Sequence, residues 1–246
     1  MRREDVVRLY DRDYAAIYDE SFLTGEHFRE STEFEVELIK EILGDRKTWL
    51  DVGCGTGYLL SRFPRVERFG LDLSPAMLEI ASKANPGVGF CNHDFRDDVK
   101  EWRNRWDLVS CTWFAYCYVD TVTEVESVLG NMARWTSPGG TCFLPVCDPD
   151  VLCKTKVPYS PPADSDDGSL SITGVVWTWT DLPSGRKHVD LVAPHLAHMV
   201  RLLEQWFSDV RLIDYPAFTS DCLAARRAII ATGKLSVPSL FDGVHS

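Results

Sequence analysis

Asp51-Val52-Gly53-Cys54-Gly55-Thr56-Gly57 follows a short apolar run and precedes a helical pattern. A glycine-rich turn in that context lets the chain bend sharply and lets a ligand approach the backbone. The spacing is Gly-x-Gly-x-Gly, whereas dinucleotide sites use Gly-x-Gly-x-x-Gly. Asp51 sets a carboxylate just before the turn, which suits a ligand carrying an ammonium and a sulfonium and opposes a pyrophosphate. Asp72 closes the next apolar run, where a carboxylate can accept both ribose hydroxyls, a feature shared with NAD enzymes. Asp94 and Phe95 end a third run. Asp94 can take an adenine amino group with Phe95 packed nearby, or it can simply cap the segment that follows.

The groups able to move a proton are His93, His188, His195 and Tyr118. His195 and Tyr118 are the candidate bases for an acceptor, and His188 is a candidate acceptor contact. His195 and His198 are one helical turn apart, but two histidines without a third ligand make a weak metal site, so no metal is expected. Aromatic residues crowd two segments: Trp113, Phe114, Tyr116 and Tyr118, then Trp177 and Trp179. The last two share one strand face. Such rings can bind a cyclic or cationic acceptor, or can pack an insertion onto a core.

Short apolar runs at 48–52, 68–73, 88–91, 106–111 and 140–146 alternate with helical patterns at 75–81 and 121–135. That rhythm indicates a parallel sheet with helices on both faces. Ser74 and Pro75 mark a helix start. A further helix is expected over 33–43, with Gly44 as its stop, and another over 195–207. Two closing strands, 210–215 and 228–232, have only a loop between them. Segment 148–170 carries prolines 149, 158, 161 and 162 and reads as a loop. Runs 171–182 and 186–192 flank Pro183-Ser184-Gly185, a hairpin signal. The expectation is one domain over 1–246: a helical cap to 45, a ligand-binding core over 46–147, a loop and hairpin lid over 148–194, closing elements over 195–234, and a tail.

The chain of 246 residues is long enough for one large core. Its net charge of −11 repels phosphate backbones and anionic lipid heads, which disfavours nucleic acid or membrane as partners. The start is charged, with no apolar run behind it, so a cytoplasmic protein is expected, with its eight cysteines as free thiols.

Taken together, LDVGCGTG at 50–57, GLDLSPAML at 70–78, HDF at 93–95, WDLV at 106–109 and SPGG at 137–140 resemble the class I S-adenosylmethionine-dependent methyltransferases. The Tyr- and Asp-rich opening, Tyr10 to Asp19, is similar to that of members acting on amino sugars and antibiotic precursors. The resemblance implies a doubly wound α/β fold, with a seven-stranded, mostly parallel sheet whose last strand is antiparallel. It implies S-adenosylmethionine as cofactor and S-adenosylhomocysteine as product. Asp51, Gly53 and Gly55 would meet the methionine end, Asp72 and Leu73 the ribose and adenine, and Asp94, Phe95 and Met77 the adenine. Thr112 would sit near the sulfonium, and Tyr14 would close over the cofactor. Tyr18, Trp113, Tyr116, Trp177 and His188 are the expected acceptor contacts. The acceptor is expected to be a small natural-product or sugar intermediate, methylated on nitrogen or oxygen, and a homodimer is possible. An NAD-dependent oxidoreductase and a non-catalytic S-adenosylmethionine-binding module remain open as alternatives.

Overall fold

The computed structural model describes residues 1–157, 159, 172–181, 184–216 and 226–236. The pieces of the expected loop, hairpin turn and tail at 158, 160–171, 182–183 and 237–246, and Cys222, lie outside these.

A seven-stranded sheet forms the centre. Its first strands are β1 (Thr48–Val52), β2 (Glu67–Asp72), β3 (Gly89–Asn92), β4 (Trp106–Ser110) and β5 (Thr136–Val146). They pair in parallel in the order β3-β2-β1-β4-β5. Strands β8 (Phe207–Asp214) and β9 (Arg227–Lys234) complete the sheet. β9 inserts between β5 and β8 and runs antiparallel to both. The expected closing pair is therefore present, and β9 alone is reversed. The inner strands β1 and β4 are buried from both sides, which is why they read as unbroken apolar runs rather than as alternation.

Helices α4 (Tyr58–Ser61), α5 (Pro75–Ala84) and α6 (Val122–Trp135) cover the sheet. Ser74 caps α5 by accepting from the Met77 amide at 3.2 Å, with Pro75 in the first turn. Thr121 caps α6 in the same way. Helix α3 (Arg29–Leu43) starts earlier than its apolar stripe suggests and stops at Gly44, as expected. Helix α8 (Leu196–Glu204) ends sooner than the sequence pattern predicts, because Phe207 is the first residue of β8 and buries its ring in the core. The expected loop begins with a short helix, α7 (Pro149–Leu152).

Two excursions leave the sheet. One is N-terminal: α1 (Arg3–Leu9), then α2 (Arg12–Asp19), which runs into a π-turn at Glu20–Thr24. The other is a separate two-stranded hairpin, β6 (Gly174–Thr180) and β7 (Lys187–Pro194). Trp177 pairs with Leu191, whereas Trp179 pairs with His188. One extra residue on β7 therefore forms a bulge, with Asp190 at φ 56°. The bulge puts His188 and Leu191 on one face although they are three residues apart.

Candidate active site

The glycine turn after β1 is left-handed at three positions, with φ of 72°, 54° and 71° at Gly53, Gly55 and Gly57. At Gly53 any side chain is also excluded by contact, since a Cβ there would lie 2.5 Å from that of Ala115. The turn forms the floor of a cavity at the carboxyl ends of the parallel strands. Gly53, Gly55, Asp72, Leu73 and Met77 line one side, and Phe95 and Thr112 belong to the same wall. Asp72 accepts from the Gly55 amide at 2.8 Å and from the Ser74 amide at 2.8 Å. Burial pushes its carboxyl up, and these amides hold it back toward the ionised form.

Three expected cofactor contacts stand differently. Asp51 is buried and does not line the cavity. Its Oδ1 accepts from the Ser110 hydroxyl at 2.6 Å, and burial pushes its pKa up to about 7. It can act on a ligand through its charge, from behind the glycine turn. Asp94 lines the cavity, but its carboxylate already takes a fork of hydrogen bonds from Arg96, at 2.7 to 3.1 Å, and a 2.8 Å contact from Arg3. Burial alone would raise its pKa, and the Arg96 hydrogen bonds outweigh this and lower it. With its lone pairs so engaged, it is a poor acceptor for an adenine amino group. Tyr14 does not line this cavity at all; it lines a second one.

That second cavity lies beside the first. Tyr10, Tyr18, Trp113 and Tyr118 line both. The turn after β4 makes this possible. Trp113 and Phe114 are both left-handed, at φ 51° and 59°, a strained pair for bulky residues, and they carry the Trp113 ring into the junction. The N-terminal excursion contributes Tyr14 and Phe22, and the hairpin contributes Trp177, Trp179 and His188. Arg226, just before β9, lies under the rings of Trp113 and Phe114, 4.6 and 5.4 Å from their centroids.

His188 is almost wholly buried here. Its Nε2 lies 3.1 Å from the Tyr14 hydroxyl and its Nδ1 lies 2.7 Å from the Tyr118 hydroxyl. Burial lowers its pKa to about 4, so the ring is neutral near pH 7. Burial likewise pushes the phenols of Tyr14, Tyr18 and Tyr118 well up.

The structure brings Tyr18, Trp113, Trp177, His188 and Tyr118 together as expected, and removes two candidates. Tyr116 is fully buried, its hydroxyl accepting from the Cys147 amide at 2.8 Å, so it is a core residue. His195 caps α8 by accepting from the Ala197 amide, its Nε2 lies 3.1 Å from the Val157 carbonyl, and it stacks on Tyr159. It lines neither cavity, because the chain leaves the hairpin before α8 begins. His93 lines neither cavity either. The sequence reading missed Tyr10, Phe22, Phe28 and Arg226 as wall residues. Tyr10 could have been found from its one-turn spacing to Tyr14; Arg226 gave no signal. Among the described residues no cluster able to hold a metal occurs, and no described helix is long and apolar enough to cross a membrane.

Residues 50–140 match a methyltransferase domain family. Over 141 residues the chain is 37% identical to a dTDP-4-amino-2,3,4,6-tetradeoxy-D-glucose N,N-dimethyltransferase of Saccharopolyspora spinosa, covering 55% of each chain. Over 139 residues it is 27% identical to a dTDP-3-amino-3,4,6-trideoxy-alpha-D-glucopyranose N,N-dimethyltransferase of Streptomyces venezuelae, covering 55% of this chain and 58% of that one. The chain thus spans little more than half the length of these relatives. Among solved structures, an amino pentose methyltransferase from Micromonospora echinaspora superposes with a TM-score of 0.59 at 21% identity, over 91% of this chain and 98% of that one. The match to the methyltransferase domain family over residues 50–140 coincides with the glycine turn and the five parallel strands of the sheet.

Proposed function

We propose that the protein transfers a methyl group from S-adenosylmethionine to the amino nitrogen of a small cyclic acceptor, an amino sugar of the kind named for its relatives. The observation that carries this reading is the shared wall of the two cavities: Tyr10, Tyr18, Trp113 and Tyr118 stand where a methyl donor and an acceptor would meet. The first cavity suits the cofactor. Asp72 offers a carboxylate to a ribose, Leu73, Met77 and Phe95 offer apolar surface to an adenine, and the buried carboxyl of Asp51 favours a cationic methionine end. When bound, the cofactor supplies a methyl carbon already activated by its sulfonium.

The chain's own contribution is alignment and exclusion of water. The aromatic walls pack against an acceptor ring and keep the junction dry. Nitrogen is favoured over oxygen because a hydroxyl needs a strong base, and the groups at the junction are neutral phenols and a neutral imidazole. The N-terminal segment and the hairpin form a two-part cover over the acceptor.

Calorimetric titration with S-adenosylhomocysteine, with NADH as control, tests the cofactor. Mass spectrometry of a nucleotide-linked 4-amino sugar incubated with S-adenosylmethionine then tests the acceptor. Binding of NADH alone would overturn the reading, and binding of S-adenosylhomocysteine without turnover on any amine would leave a ligand-binding module.

A further inference from the structure

Three residues in the middle of the sheet form a short polar row. Trp49 and Asp51 lie two apart on β1 and so share one face, and Ser110 pairs with Asp51 across the β1–β4 ladder. The Trp49 indole N–H donates to the Ser110 hydroxyl at 2.7 Å, and that hydroxyl donates to Oδ1 of Asp51 at 2.6 Å. All three are buried, and their strand neighbours on this face are apolar: Leu108 pairs with Trp49, and Phe143 with Ser110. An alanine at 110 would fill the sheet as well, so the hydroxyl calls for a reason of its own.

The first member of the row fixes its direction. An indole can only donate. With that proton on one lone pair of Oγ, and no third partner for Oγ among the described residues, the Ser110 O–H is left to point at Asp51. The reverse bond, a protonated Asp51 donating to Ser110, would strand the Ser110 proton in a dry sheet without an acceptor. Oδ1 is thus held as an acceptor, and Oδ2 is the oxygen that gains or loses the proton. Burial is the largest influence toward the protonated form of this carboxyl, the Ser110 bond opposes it, and the carboxylates of Glu35 on α3 and Asp72 on β2 add to it. The thiols of Cys54 in the glycine turn and Cys111 after β4 feel the same carboxylate, and burial keeps both protonated.

We propose that Ser110, its hydroxyl aimed by Trp49, is a positioning residue that keeps Asp51 ready to ionise and so sets the pH range in which the cofactor's ammonium is received. This rests on the reading of Asp51 as the carboxyl behind the methionine end. On binding, the proton leaves Oδ2 for the solvent, and the carboxylate that remains is held by the bond Ser110 already makes. Ser110 and Trp49 line neither cavity, so both act through Asp51.

Carbon-13 NMR of the Asp51 carboxyl in the ligand-free protein tests the row directly. The wild-type midpoint is expected at about 7. S110A should move it up by about one pH unit or more, the size of one hydrogen bond to a charged group. W49F keeps the Ser110 hydroxyl but frees it to turn and accept from a protonated Asp51, so its midpoint should fall between the two. Equal midpoints in all three proteins would overturn the proposal. Calorimetry with S-adenosylhomocysteine then tests the consequence. At pH 6 S110A should bind about tenfold more weakly than wild type, following the fraction of Asp51 ionised, and by pH 9 the two should agree within about twofold. The ligand's own ammonium titrates alike in both and cancels from the ratio. A loss equal at every pH would make Ser110 a packing residue and overturn its role in binding. Wild-type protein that fails to bind S-adenosylhomocysteine would overturn the cofactor reading, and the role in binding with it, while the carboxyl midpoints still decide the link from Ser110 to Asp51.

Discussion

The two cavities meet at one wall, yet they are built in opposite ways. The cavity proposed for the cofactor has its floor at the ends of sheet strands, with backbone amides and glycines as its working parts. The cavity proposed for the acceptor is closed by side chains from two excursions, N-terminal and hairpin, that lie 150 or more residues apart in sequence. The first is therefore fixed by local backbone conformation, and the second by tertiary docking. Substitutions should separate them cleanly, the first set destroying cofactor binding and the second altering acceptor use alone.

The largest effect is expected at Gly53. Gly53→Ala puts a Cβ 2.5 Å from that of Ala115 at a left-handed position. Calorimetry should show at least a roughly 100-fold loss of S-adenosylhomocysteine affinity, about 2.7 kcal/mol. On the other side of the wall, Trp179→Ala should raise the acceptor KM by about tenfold or more while leaving cofactor affinity within about twofold, as expected for a buried aromatic contact. If cofactor affinity fell equally, the two cavities would be one site and the comparison would collapse.

Protons sharpen the contrast, since burial raises the pKa of Asp51 behind the glycine turn and lowers that of His188 in the second cavity. The raised carboxyl of Asp51 means that the folded protein keeps a proton which the unfolded chain has lost between about pH 4 and 7. Its contribution to stability is present below pH 4 and lost as pH rises through 7. Asp51→Asn should therefore raise the melting temperature of the ligand-free protein at pH 8 and weaken S-adenosylhomocysteine binding. Titrations near pH 6.5 in buffers of different ionisation enthalpy should show proton release on binding, because the ligand's ammonium favours the carboxylate. His188 runs the other way. Its depressed pKa gives stability present above about pH 6.5 and lost as pH falls toward 4. H188Q should flatten that part of the acid-denaturation profile.

The smallest effect is expected at His195. His195→Ala removes a helix cap and should cost about 1 kcal/mol of stability, with no change in methyl transfer. A large loss of activity there would place the chemistry outside both cavities.

The same division explains what could be read in the sequence. Asp72, Leu73, Met77, Phe95 and the glycine turn were legible because each sits within a few residues of a strand end, where local pattern decides position. The inner strands were legible as apolar runs. Tyr14 lines the second cavity and not the first, because helical spacing reports which face it is on, not what that face meets. Trp113 points into the junction through two left-handed residues, and His188 through a bulge, and neither device has a composition signature. Asp94 carries the expected motif, but Arg3, 91 positions earlier, helps to occupy it. His195 looked like a base because it lay next to the hairpin in sequence, whereas the strand end carries it away.

Arg186 ties the two excursions together. Its guanidinium donates to the Leu9 carbonyl at 2.6 Å, pairs with Asp11 at 2.9 Å, and lies over the Tyr14 ring. None of these partners belongs to the sheet. Exchanging the acceptor walls between relatives, by recombination or by design, would also move Tyr10 and Tyr18, which line the first cavity as well. Such a graft must carry both excursions with matched residues at 11 and 186: a hairpin inherited without its N-terminal counterpart would arrive with a cation that has nothing to close onto.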